Sequence, residues 1–211
     1  MKDTQPAPRA HATDPTDSDS DKRGYYPRMQ AAVEALLILK GIISAEDIER
    51  EIAAMAGRDY RRGAAMVARA WVDADYRQRL LADGAAAAKE LSFDIGQLRL
   101  IIVENTPQTH HVIVCTLCSC YPRALLGIPP GWYKSREYRS RVVREPRKVL
   151  AEFGTTVPDD VGILVHDSTA DLRYMVLPMR PAGTTDLDEA ALAELVTRDS
   201  LIGVGLAKDP S

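Results

Sequence analysis

Cys115, Cys118 and Cys120 fall within six residues of a 211-residue chain and are the only cysteines it contains. A disulfide framework calls for an even number spread over loops, and a structural zinc site for a further ligand pair a dozen or more residues away. The sequence offers neither. A single metal ion seated in this loop would meet another donor set, because the amide nitrogens of Ser119 and Cys120 lie between the two later thiols. The Cys118 sulfur and Ser119 nitrogen close a six-membered chelate ring. The nitrogens of Ser119 and Cys120, and the nitrogen and sulfur of Cys120, each close a five-membered one. The result is a near-planar N2S2 claw, with Cys115 folding underneath as an apical sulfur and the opposite apex open to water or substrate. Deprotonated amides are very strong donors, so the set favours cobalt(III) or iron(III) over zinc, which prefers four tetrahedral donors. The competing reading from another class is a thiol metal-storage or redox-sensing protein holding copper(I) or zinc.

Other polar residues have side chains suited to related chemistry. His110 and His111 invite a mixed His/Cys site, but on an extended segment they face opposite ways, so at most one reaches the metal, and a buried histidine bonded to backbone is expected. His166, Asp167 and Ser168 carry the letters of a hydrolytic triad, yet three adjacent residues cannot adopt its geometry. The basic block from Tyr138 to Leu150 reads as a salt-bridged helix surface or subunit interface. His11 reads as a solvated residue of a polar tail.

The run Cys115-Thr116-Leu117-Cys118-Ser119-Cys120 resembles the metal claw of nitrile hydratase α subunits and of thiocyanate hydrolase γ subunits. Further likeness runs through the lead-in Asn105 to His111, the Trp132-Tyr133-Lys134-Ser135 and Tyr138 to Leu150 segments and the C-terminal region, covering nearly all of 27–206. The resemblance implies one cobalt(III) per chain, since Thr116 and Tyr121 match the cobalt rather than the iron version. Cys115, Cys118, Ser119 and Cys120 would be metal ligands. Cys118 would be a sulfinate, Cys120 a sulfenate and Cys115 a plain thiolate. Cys118, Ser119 and Cys120 are the implied catalytic group, hydrating a nitrile to a carboxamide. Arg123 and Gln108 are assigned to substrate binding. Arg123 departs from the tryptophan common in nitrile hydratases and matches thiocyanate hydrolase, so thiocyanate hydrolysis to carbonyl sulfide and ammonia is the runner-up. A large polar nitrile such as the nucleoside toyocamycin also fits. The implied partners are a β-type subunit, a separate third subunit and an activator protein that delivers the metal.

The elements that must position the claw are legible in outline. Residues 1–24 hold no branched aliphatic residue and no Phe, Tyr or Trp, and are expected to be a disordered tail. Apolar spacing predicts helices over 27–40, about 45–56, 59–71 and 73–88, the second opening on a Ser44 cap. Together they suggest a helical arm over 25–95. Aliphatic runs at 98–103, 111–114, 161–166 and 172–177 predict strands, the last two paired as a hairpin, and a short helix follows at 187–196. The fold class is α+β: an N-terminal helical arm, then a compact metal-binding domain over 96–211 whose short strands pack against helices. A net charge of -3 argues against a nucleic-acid or membrane-surface role. Without an apolar run of about 18 residues or the apolar core of a secretion signal, a cytoplasmic location is expected. No repeat, P-loop or dinucleotide motif is present.

Overall fold

The computed structural model describes residues 22–210. The expected tail, with His11, lies outside them except for 22–24, which belong to the first helix. The chain divides into two compact units, Met1–Met55 and Ala56–Ser211. In the first, α1 (Lys22–Leu39) and α2 (Ala45–Ala56) follow the predicted spacing. Ser44 caps α2 reciprocally: its hydroxyl accepts the Asp47 N–H at 3.1 Å, and the Asp47 carboxylate accepts the Ser44 N–H at 2.9 Å. Tyr25, Met29, Val33 and Leu36 recur three to four residues apart along α1 and are all exposed.

The second unit contains α3 (Arg61–Val72), α4 (Ala74–Ala82) and α5 (Gly84–Glu90). These three helices, expected within an arm reaching residue 95, lie in the second unit instead. The reason is burial: Met66, Val67, Tyr76, Leu80 and Ala87 share one core with the strand residues Leu100, Ile102 and Met175. The single helix expected over 73–88 is also corrected. Asp83 accepts the N–H groups of Ala85 and Ala86, both at 3.0 Å, and so starts a new helix inside an apparently continuous run.

The four expected strands form as β1 (Arg99–Glu104), β2 (Thr109–Val114), β3 (Gly162–Asp167) and β4 (Leu172–Leu177). The hairpin does not. β1 pairs in parallel with β4 and β2 in parallel with β3, giving two two-stranded sheets. Parallel partners must be joined by long crossovers, and the helices between β2 and β3 supply one. At 168–171 the chain passes from one sheet to the other, with the Ser168 N–H donating to Val114 O at 2.7 Å. This topology sets the site: Val114 stands in register with Asp167, and Leu100 with Arg173.

After β2 come α6 (Arg123–Leu126), a 3₁₀ turn (Gly131–Lys134), α7 (Arg136–Arg144) and α8 (Pro146–Glu152). The basic block is salt-bridged as expected, Arg141 meeting Glu137 at 3.1 Å and Glu145 at 2.6 Å. The chain ends with α9 (Glu189–Leu195) and α10 (Arg198–Ile202), closed by Gly203 at φ 88°. No helix among the described residues is long and apolar enough to cross a membrane.

Gly203 is tied to the histidines. His110 receives the Asn105 side-chain amide on Nδ1 at 3.3 Å and donates from Nε2 to Gly203 O at 2.7 Å, a backbone-bonded state that leaves no free nitrogen for a metal. A Cβ on Gly203 would stand 2.0 Å from His111 O, in a backbone region L-residues rarely adopt. Gly203→Ala should therefore cost at least about 2 kcal/mol in urea unfolding. His111 faces the other way and meets His166, Nδ1 to Nε2, at 2.7 Å. Burial holds His110, His111 and His166 below the ordinary imidazole range, and His166 adds repulsion at His111. Because their folded values are depressed, the unfolded chain binds more protons as the pH falls. Stability is fully present above the unfolded value of about 6.5 and is lost below it. Thermal unfolding should show the midpoint falling from about pH 7 to about pH 5, less steeply in His166→Phe.

Candidate metal centre

The claw loop leaves β2 at Val114 and is held at both ends. Cys115 is fully buried at the strand end, and its sulfur accepts the Cys118 N–H at 3.2 Å. Asp167, delivered by the parallel β2–β3 register, accepts the Thr116 N–H at 2.9 Å and also its hydroxyl. On the far side the Tyr133 hydroxyl donates to Cys120 O at 2.8 Å. Beneath lies an aromatic floor, with Tyr121 and Tyr133 edge to face at 5.1 Å and Trp132 against Tyr138 at 4.9 Å. The Tyr138 hydroxyl donates to Ile113 O at 2.7 Å, fixing the strand just before the loop.

The three sulfurs converge. Cys115 Sγ lies 3.4 Å from Cys118 Sγ, which lies 3.2 Å from Cys120 Sγ, and all three sit within 4.8 Å of one another. With metal–sulfur bonds of about 2.3 Å, neighbouring ligands of a tetrahedral ion stand about 3.8 Å apart, but those at right angles around a six-coordinate ion stand about 3.2 Å apart. The observed spacings match the second arrangement. Hydrogen bonds from the neighbouring thiols draw the Cys118 thiol down to about 7. Burial first, and then the adjacent sulfurs, push Cys120 up to about 12. Three thiolates so close together would repel strongly, and a highly charged cation would offset that repulsion. The three sulfurs of Cys115, Cys118 and Cys120 therefore fit a six-coordinate trivalent ion, which they would hold together with the Ser119 and Cys120 main-chain nitrogens.

The loop opens onto a cavity of about 440 Å³ lined by Ile95, Leu98, Cys118, Ser119, Cys120, Tyr121, Arg123, Ala124 and Arg173. Arg123, on α6, stands on its wall. Gln108 does not: it is exposed in the β1–β2 turn, at the opposite end of β2 from the claw, and lines no part of this cavity. Arg173 was not anticipated. It enters because β4 runs beside β1, and its charge favours the thiolate form of Cys120. An arginine in the otherwise apolar run Leu172 to Leu177 was the available signal. His166 and Asp167 serve separate partners and form no triad.

The exposure of the sulfurs is graded, Cys115 buried, Cys120 intermediate and Cys118 exposed. Leu117, at the tip of the loop, is 89 % exposed.

The description "Nitrile hydratase, alpha chain" matches residues 25–205. The chain is 50% identical over 184 residues to the low-molecular weight cobalt-containing nitrile hydratase subunit alpha of Rhodococcus rhodochrous, covering 85% of this chain and 88% of that one. It is 42% identical over 198 residues to thiocyanate hydrolase subunit gamma of Thiobacillus thioparus, covering 85% and 79%. An Fe-type nitrile hydratase from Comamonas testosteroni Ni1 superposes with a TM-score of 0.82 at 40% identity, covering 89% of this chain and 92% of that one. With a three-sulfur claw at the end of a buried strand and these relatives over most of its length, the chain belongs to the nitrile hydratase α-chain family.

Proposed function

We propose that this chain is the metal-bearing α subunit of a cobalt nitrile hydratase, and that its claw hydrates a nitrile to a carboxamide. The observation that carries this reading is the convergence of three thiols on an open, cation-lined cavity. A trivalent cobalt held there would supply Lewis acidity, polarising a C≡N bond or acidifying water. The chain's own residues do the rest. Cys115 anchors the site from below, Asp167 fixes the loop entry, and Ile95 and Leu98 form an apolar wall. Arg123 and Arg173 hold and orient the polar end of a substrate. The exposure gradient supports oxidation of Cys118 to a sulfinate and Cys120 to a sulfenate, with buried Cys115 left as a thiolate.

The exposed Leu117 at the loop tip and the apolar stripe of α1 call for a covering partner. A β-type subunit fits this role, with a third subunit in a thiocyanate hydrolase-like assembly and an activator protein for metal delivery in the cytoplasm. The spacing of the sulfurs disfavours a zinc-storage role. Two arginines on the cavity wall give thiocyanate a specific claim as the second reading, and among nitriles they favour polar ones. A nucleoside such as toyocamycin rests on Arg123 alone.

The test is to purify the chain with its partner subunit, measure metal and cysteine oxidation, and assay a small alkyl nitrile, a nucleoside nitrile and thiocyanate. The expected result is one cobalt per chain, two added oxygens on Cys118, one on Cys120, and amide formation. Consumption of thiocyanate with no nitrile turned over would move the assignment to the second reading. Reduced thiols holding zinc in the assembled complex would remove both. Arg123→Leu should lower kcat/KM for polar substrates by about 10-fold or more and for a small alkyl nitrile by less than about 3-fold, in steady-state assays of the same complex.

A further inference from the structure

Arg139 stands in α7, facing the claw loop from outside the cavity. Its Nη1 donates to Cys118 O at 3.0 Å and reaches Thr116 O at 3.5 Å. It makes no ion pair among the described residues, and its Nε is buried without a hydrogen-bond partner. A salt bridge therefore does not account for its position.

The identity of the accepting oxygen matters. Cys118 C=O belongs to the same peptide unit as the Ser119 nitrogen, one of the two main-chain donors in the claw. A peptide nitrogen that binds a metal ion has released its proton to solvent, and the resulting negative charge is shared along the N–C–O unit. Part of that charge falls on Cys118 O. A guanidinium already directed at this oxygen binds it more strongly in the metal-bound form than in the neutral one, because its positive charge then faces a partial negative charge on the acceptor. The other contacts to the loop lack this effect. Tyr133 donates to Cys120 O, whose peptide nitrogen belongs to Tyr121 and is not a ligand, and Asp167 is an anion on Thr116. Arg123 and Arg173 line the cavity on the other side.

We propose that Arg139 is a positioning residue for the metal centre: it fixes the Cys118–Ser119 peptide and neutralises the charge this peptide carries when its nitrogen is a ligand, so that cobalt is taken up and kept. The proposal rests on the cobalt-claw reading above, and its direct readout is metal loading rather than turnover.

The experiment uses the complex with its partner subunit, expressed over a range of cobalt concentrations, with cobalt per chain measured by mass spectrometry. Arg139→Gln should raise the cobalt concentration needed for half-loading by about 10-fold. Arg139→Lys, which keeps the charge, should raise it by less than about 3-fold. Arg136→Gln, which removes a nearby exposed guanidinium that makes no bond to the loop, should load like wild type. The thermal midpoints of the metal-free complexes should agree across the set, which a merely structural role for Arg139 would not produce. Loading of Arg139→Gln at the wild-type concentration would overturn the proposal, as would an equal defect in Arg136→Gln. A wild-type complex that takes up no cobalt would overturn the cobalt reading itself, and this inference with it.

Discussion

Everything in this chain depends on forcing three thiols into contact at the end of one buried strand. Sulfurs 3.2 and 3.4 Å apart cannot all be thiolates without a compensating charge, and a six-residue loop does not hold them together unless its ends are fixed. The fold supplies the fixing. Cys115 is sealed into the core, the Tyr138 hydroxyl holds Ile113 O, and Asp167 takes the first N–H of the loop. Each of these comes from a different element, so the loop conformation is a product of the whole second unit rather than of its own sequence.

The parallel pairing of β2 with β3 and of β1 with β4 has a chemical consequence. It ends β3 beside the claw, where Asp167 braces it, and starts β4 where Arg173 faces Cys120. The same topology sorts the histidines. His110 is committed to Gly203 and Asn105, and His111 to His166, so neither is turned to the three sulfurs.

Legibility in the sequence followed the range of each interaction. The clustering of the three sulfurs was readable because they sit within six residues, and the place of Arg123 on the cavity wall because it follows three residues later. The strands were readable from their aliphatic runs, but their partners were not, since nothing local distinguishes a strand that turns back on its neighbour from one that joins a distant strand in parallel. Arg173 and Asp167 were missed as site residues for that reason. Gln108 is separated from Cys115 by six extended residues, so its closeness along the chain does not bring it to the claw end of β2. The break at Asp83 was hidden by the alanines that follow, which suit a helix whether it continues or starts anew.

The most direct test of the central claim is X-ray absorption at the metal edge of the purified complex of this chain with its partner subunit. The account predicts a six-coordinate ion with three sulfur scatterers from one loop and shorter contacts from light atoms, two of them main-chain nitrogens. A tetrahedral ion bound through sulfur alone, or with imidazole in place of peptide nitrogen, would contradict it.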